Sequence, residues 1–347
     1  MKYSFLNDYS EGAHESIIAA MAASNLVQTV GYGTDEFCDR ARARIAAEVK
    51  RPDSCIHFLV GGTQVNLTAA AALLRPHQGM ISAENGHVSV HESGAIEATG
   101  HKVLTIPTPD GKLTAKAVEA LIKAHYDDPT AEHMVQPGMV YVSQPTELGT
   151  VYRKQELVDL SAVCQKYHIP LYLDGARLGC ALTCRGNDLT LPDIAALTDL
   201  FYIGGTKMGA LFGEALVINR PELNTDFRSI IKQRGGMLAK GRLLGIQFET
   251  LFTDGLYYKL AQHAIDMAEK LAGGIAALGY SFAAEAVTNQ LFPILPKAVL
   301  VRLEEDFIFS VQGAYSDTHD VIRLCTSWAT DPDMVEKFLQ KLKAYTV

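Results

Sequence analysis

Short apolar runs alternate with longer stretches of helical spacing over most of this chain. The runs at residues 55–60 (CIHFLV), 140–142 (VYV), 170–173 (PLYL), 200–203 (LFYI) and 214–219 (EALVIN) predict strands. Those at 170–173 and 200–203 are apolar throughout, as strands buried on both faces are. Residues 38–49, 65–74, 111–125 and 154–167 predict helices, with Asp35 as the cap of the first. Residues 126–137 predict a loop, and 238–278 a long helical region. Beyond residue 279 the pattern changes. Short alternating runs at 298–303, 307–311 and 321–326 predict strands, followed by an amphipathic helix over 333–345. Strands followed by one helix make an α+β unit, unlike the alternating α/β body before it. The expected division is an N-terminal arm and helix over 1–30, a large domain over 31–245 and a small domain over 246–347.

In a mostly parallel sheet, ligands sit beyond the carboxyl ends of the strands, and here those ends carry chemistry. The run at 170–173 leads to Asp174 and then Arg177, within DGARLG. The run at 200–203 leads through Gly204, Gly205 and Thr206 to Lys207. A lysine amine can form a Schiff base with an aldehyde cofactor. A carboxylate facing a pyridine nitrogen keeps that nitrogen protonated, which the electron-sink chemistry of pyridoxal 5′-phosphate (PLP) requires. Either residue alone reads as a helix cap or a solvated loop charge. Together, at two strand ends, they point to PLP.

Other strand ends add to this. The run at 55–60 enters GGTQVN, where Gly62 and Thr63 open a helix and form a candidate phosphate cup. The turn fits neither the Walker A nor the dinucleotide pattern. His87 and His91 are spaced for one helical face, with His87 the candidate to stack on a cofactor ring. They lack a third ligand, so no metal is expected. The run at 140–142 leads to SQPTELG, which puts Glu147 on the ligand side. Tyr32, in GYGTD, reads equally as turn packing or as an active-site wall at a subunit contact. Arg323, between Ile322 and Leu324, suits a substrate carboxylate if it faces the cleft.

Composition narrows the class. Of 347 residues, 48% are hydrophobic and 20% charged, the balance of a globular protein. Thirty-one basic against 39 acidic residues give a net charge of −8, which argues against nucleic acid or an anionic membrane as partner. No apolar run approaches the roughly 18–20 residues that span a bilayer. The N-terminal MKYSFLNDYSEGAHES does not read as a signal peptide. The six scattered cysteines are expected to be reduced, with a cytoplasmic location. Cys180 and Cys184 have no second pair to complete a zinc site.

The order GYGTD, GGTQVN, GH, DGARLG, GGTKMGA, RGGM and VIRLCTSWATD resembles the PLP-dependent threonine aldolase / β-eliminating lyase family over nearly the whole chain. The resemblance implies a fold type I, PLP-dependent transferase-like α/β architecture. Its large domain carries a mostly parallel seven-stranded sheet, and its small C-terminal domain is α+β. It implies that Lys207 links to PLP, that Asp174 faces the pyridine nitrogen and that His87 stacks on the ring. It also implies Gly62 and Thr63 at the phosphate, Arg177 near cofactor and substrate carboxylate, and Arg323 on the α-carboxylate. Asn7 and Tyr32 fall on the substrate side. Family members are dimers or tetramers with shared sites, which brings in Tyr32, Arg234 and Lys240 across an interface. Two positions depart from the family pattern. Thr146-Glu147-Leu148 stands where many members carry a histidine, and Asn7 beside Asp8 replaces a serine.

The expected reaction is cleavage of the Cα–Cβ bond of a β-hydroxy-α-amino acid to glycine and an aldehyde, with His87 or Glu147 as the base. β-Elimination with Lys207 as base, or transamination, are the alternatives on the same scaffold.

Overall fold

The computed structural model describes residues 2–346. The chain opens with β1 (Tyr3–Ser4) and the helix Glu15–Ala23. Asp35 then caps the helix Glu36–Val49, accepting from the Cys38 N–H at 3.0 Å. Seven strands form the central sheet: β2 (Cys55–Leu59), β3 (Gln78–Ala83), β4 (Val103–Ile106), β5 (Gln136–Ser143), β6 (Leu171–Asp174), β7 (Leu200–Gly204) and β8 (Glu214–Ile218). Their spatial order is β2-β8-β7-β6-β5-β3-β4. β4, β3, β5, β6 and β7 run parallel, and β8 runs antiparallel to both β7 and β2.

Every residue of β6, β7 and β8 is buried. One apolar cluster, holding Ile81, Val142, Leu173, Ile203 and Val217, covers one face of the sheet. A second, with Met80, Tyr141, Tyr172, Tyr202 and Leu216, covers the other. Adjacent residues of one strand fall in opposite clusters, as the period of two requires.

A smaller antiparallel sheet follows, built from β9 (Gln290–Leu291), β10 (Ile294–Pro296), β12 (Ser310–Ala314) and β13 (His319–Cys325). β11 (Phe307–Ile308) pairs in parallel with β1, so the N-terminal arm is tied to the C-terminal part of the chain. Phe5 buries its ring there between Phe307 and Phe338, in a third apolar cluster.

Three expectations from the sequence are corrected. Residues 298–303 do not form a strand but lie in the helix Lys297–Leu303. Val299, Leu300 and Leu303 face inward while Val301 is 66% exposed, which is the helical period and not alternation. The helical region at 238–278 is two helices, Arg242–Leu251 and Leu256–Ala277. The break is a turn in which Asp254 and Gly255 both adopt positive φ. The loop expected over 126–137 is shorter at both ends, because the helix Ala115–Asp127 and β5 extend into it.

Candidate active site

The C-terminal ends of β5, β6 and β7 and the turn after β2 meet around a pocket of about 300 Å³. Asp174, Lys207, His87, Glu147, Arg177, Gly62 and Thr63 all line it, so most of the residues picked out from the sequence converge there. Asn7, Tyr32 and Arg323 do not line it.

Asp174 ends β6 and is buried. Its Oδ2 accepts from the Tyr141 hydroxyl at 2.6 Å and from Asn66 Nδ2 at 3.2 Å, and its Oδ1 accepts from the Tyr202 hydroxyl and from the Ala176 N–H. Four donors from separate elements fix this carboxylate. Asn66 is itself fixed, since its Oδ1 accepts from the Tyr172 hydroxyl at 2.6 Å and its Nδ2 also donates to Glu92.

Lys207 stands in the turn after β7, its Nζ 6.0 Å from the centre of the Tyr9 ring. Burial and then the Arg177 charge lower its pKa, against the opposite pull of Asp8, Asp174 and Glu214. A lysine depressed in this way carries more of the free amine that a carbonyl needs.

His87 begins the short helix His87–Val90, and its Nδ1 lies 2.7 Å from Glu92 Oε1. Burial alone would lower its pKa, but the bond to Glu92 and the charges of Asp174 and Glu147 outweigh it and raise it. His91 follows, its ring 5.6 Å away and exposed. Its pKa is lowered by burial, His87, Arg323 and Lys207.

Glu147 faces the pocket from the loop after β5 and accepts from the Ser143 hydroxyl at 3.0 Å. Burial and then Asp174 raise its pKa, with His87 opposing.

Gly62 and Thr63 form the first turn of the helix Gly62–Leu73, whose opening N–H groups have no partner within the helix. A Cβ on Gly62 would come within 2.7 Å of the Tyr202 hydroxyl, so a larger residue would push into the floor of the pocket. This turn suits an anion.

Arg177 does not reach across the pocket freely. Its Nε donates to Asp8 Oδ2 and its Nη2 to Asp8 Oδ1. Asp8 also accepts from Asn289 Nδ2 at 2.9 Å. Arg323 donates through Nη2 to the Leu6 carbonyl at 3.1 Å, and its Nε has no protein partner. Asn7 closes a local turn, accepting from the Tyr9 N–H and the Ser10 hydroxyl. Tyr32 lines a separate small pocket with Arg42, His57 and Arg228, where Lys232 Nζ lies 4.5 Å from the centre of its ring. Arg234 keeps a buried Nε without a partner. Among the described residues no group of three or more His, Cys, Asp or Glu side chains is placed to hold a metal ion, and no helix is long and apolar enough to cross a membrane.

Asp8, Asn66, Glu92, Tyr202 and Glu214 are site residues that sequence reasoning does not single out. One of them leaves a trace there, since Glu214 leads directly into the apolar run of β8.

The sequence model of the family described as Beta-eliminating lyase matches residues 5–298, a span that contains Asp174, Lys207 and every other residue lining this pocket. The chain belongs to the β-eliminating lyase family. A low-specificity L-threonine aldolase from Pseudomonas aeruginosa is 30% identical over 347 aligned residues, covering 98% of this chain and 96% of the relative. A second, from Saccharomyces cerevisiae, is 27% identical and covers 87% of this chain and 76% of its own length. The solved structure of a Leishmania major threonine aldolase superposes with a TM-score of 0.97 at 48% identity, covering 99% of this chain and all of that one. Aspartate aminotransferase from Thermus thermophilus, at 16% identity and a TM-score of 0.72 over 99% of this chain and 91% of its own, shares the fold alone. The architecture is therefore fold type I.

Proposed function

We propose that this protein is a PLP-dependent lyase that cleaves the Cα–Cβ bond of a β-hydroxy-α-amino acid of the threonine or allo-threonine type, giving glycine and an aldehyde. The observation that carries the reading is the convergence of Lys207, Asp174 and Glu147 on one pocket. An amine, a fixed carboxylate and a second carboxyl in the same pocket are what this reaction needs from a protein.

The residues fit PLP. Asp174, held by Tyr141, Tyr202, Asn66 and the Ala176 N–H, would face the pyridine nitrogen. The helix start at Gly62 and Thr63 suits the phosphate, Lys207 the aldehyde and the His87 ring the face of the pyridine. When bound, PLP supplies the electron sink that lets the Cα–Cβ bond break heterolytically.

The chain's own part is positioning and proton handling. Arg323, which stands outside the lining of the pocket with its Nη2 on the Leu6 carbonyl, is assigned to the substrate carboxylate by the family resemblance, a contact that would turn the Cα–Cβ bond to the orientation in which it breaks. Arg177 is held by Asp8 in two hydrogen bonds and supplies positive charge near the same carboxylate. Glu147 accepts the β-hydroxyl proton. Its raised pKa makes it a stronger base than an ordinary carboxylate. His87 is engaged with Glu92 at Nδ1, so its role is to stack and to carry positive charge within reach of Glu147. Asn7 shapes the arm that brings Asp8 and Tyr9 to the pocket. Tyr32, Arg234 and Lys240 lie outside this pocket and are assigned to a second subunit's site in a homodimer or homotetramer.

The test is aldehyde release. L-Threonine and L-allo-threonine should yield acetaldehyde and glycine in equal amounts. Pyruvate or 2-oxobutyrate with ammonia would indicate elimination instead.

A further inference from the structure

We infer that Glu214 carries a proton whenever a phosphate occupies the turn at Gly62 and Thr63, so that cofactor binding above neutral pH takes up a proton at this carboxyl. The inference rests on the reading of the pocket as a PLP site.

Glu214 is the first residue of β8 and is buried, yet it lines the pocket. Its strand is paired on both sides. Gly204 of β7 lies opposite it on one side, three residues before Lys207, and Leu59 of β2 on the other, three residues before Gly62. The carboxyl thus stands between the lysine turn and the turn that suits phosphate. Its Oε1 accepts from the Thr206 hydroxyl at 2.9 Å, and its Oε2 accepts from the Gly205 N–H at 2.9 Å. Thr206 is committed in turn, accepting from the Gly213 N–H at 3.0 Å.

A buried carboxylate beside an incoming dianion is unfavourable twice over, for lost solvation and for like-charge repulsion. A neutral carboxyl removes both costs and has one O–H to offer a phosphate oxygen. The charged groups facing Glu214 are Lys207 and Asp174, and the buried phenols of Tyr202, Tyr172 and Tyr257 feel its charge. Burial raises the carboxyl, the bonds from Thr206 and Gly205 and the Lys207 charge pull it down, Asp174 adds to the rise, and together they put it at about 8. An added phosphate acts in the same direction as Asp174. Below that pH the group is already neutral and binding needs no proton. Above it, each bound phosphate must bring a proton to Glu214, and affinity falls by about tenfold per pH unit. A merely structural glutamate, replaced by its amide, would leave the pH dependence unchanged.

The experiment uses pyridoxine 5′-phosphate, which has no aldehyde and so binds without a bond to Lys207. Its Kd is measured by calorimetry from about pH 7 to 10 on the full chain freed of cofactor, for the wild type and Glu214→Gln. Two buffers of different ionisation heat report proton uptake. The wild type should lose affinity above about pH 8 and take up protons there, and Glu214→Gln should lose the part of both effects due to this carboxyl. Because Lys207 also titrates, the same pair is measured in Lys207→Ala, where uptake should persist and should drop when Glu214 is replaced, the pyridine nitrogen facing Asp174 contributing equally to both. Should Glu214→Gln fail to fold, Glu214→Ala in the Lys207→Ala background takes its place in the same comparison. Equal pH slopes with and without Glu214, or no uptake in Lys207→Ala, would overturn the inference and leave the cofactor reading standing. No binding at any pH overturns the cofactor reading and the inference with it.

Discussion

Arg177 and Asp8 are joined by two hydrogen bonds, Nε to Oδ2 at 2.6 Å and Nη2 to Oδ1 at 3.1 Å, although 169 residues separate them in sequence. Asp8 is fully buried, and Asn289 binds the same carboxylate from the C-terminal part of the chain. One acid therefore ties the N-terminal arm, the Asp174 turn and the small sheet together beside the active site.

Asp8→Asn leaves a buried guanidinium without its counter-charge, a change that costs about 3–5 kcal/mol in comparable cases. A marked drop in Tm is expected, together with weaker substrate binding as the arm loosens. The pH dependence has a definite sign. Burial alone would raise the Asp8 carboxyl, but Arg177 and Lys207 outweigh it and hold it below the ordinary carboxylate value. Its stabilising contribution is therefore complete above the unfolded pKa of about 4 and is lost as pH falls through the lower folded value. Thermal unfolding across the acid range checks this, because the Asp8→Asn variant should lack that part of the wild-type acid destabilisation.

Glu147→Gln keeps the shape of the loop and its contact with Ser143 but removes the proton acceptor. Aldehyde release should fall by about 10²–10⁴ in kcat, with cofactor binding unchanged. Burial and Asp174 raise the Glu147 carboxyl, so wild-type kcat should decline as pH falls through a value above the ordinary glutamate pKa of about 4.3. A pH profile of kcat in both proteins tests the assignment, and full turnover in the Gln variant would remove Glu147 from the mechanism.

The 2.7 Å contact between His87 Nδ1 and Glu92 makes a further prediction. In the folded protein the His87 pKa should lie above 6.5, and Glu92→Gln should lower it. A raised histidine pKa stabilises the fold below the unfolded pKa, and this contribution is lost as pH rises through the folded value. NMR titration of the His87 ring in both proteins measures the shift directly.

Much of this structure is legible in the sequence because the signals are local. The runs at 170–173 and 200–203 are apolar throughout and mark the buried strands β6 and β7. Asp174 and Lys207 stand at their ends, where parallel-sheet geometry places ligands. The antiparallel insertion of β8 between β2 and β7 leaves no such mark. Neither do the partners of the site groups. Asp8 meets Arg177, Asn66 meets Asp174 and Glu92, and Tyr202 meets Asp174 only through the tertiary fold. The helix Lys297–Leu303 is hidden because its apolar residues read as alternation until burial separates Val299, Leu300 and Leu303 from exposed Val301.

The most direct test is the visible absorption spectrum of the purified protein with PLP, followed by addition of glycine and, separately, L-threonine with an acetaldehyde assay. A band from lysine-bound cofactor that changes with glycine, vanishes in Lys207→Ala and accompanies acetaldehyde release from threonine is the expected result. No such band with saturating PLP, or a band with no aldehyde from any β-hydroxy-α-amino acid, would contradict the assignment of this pocket to Cα–Cβ cleavage.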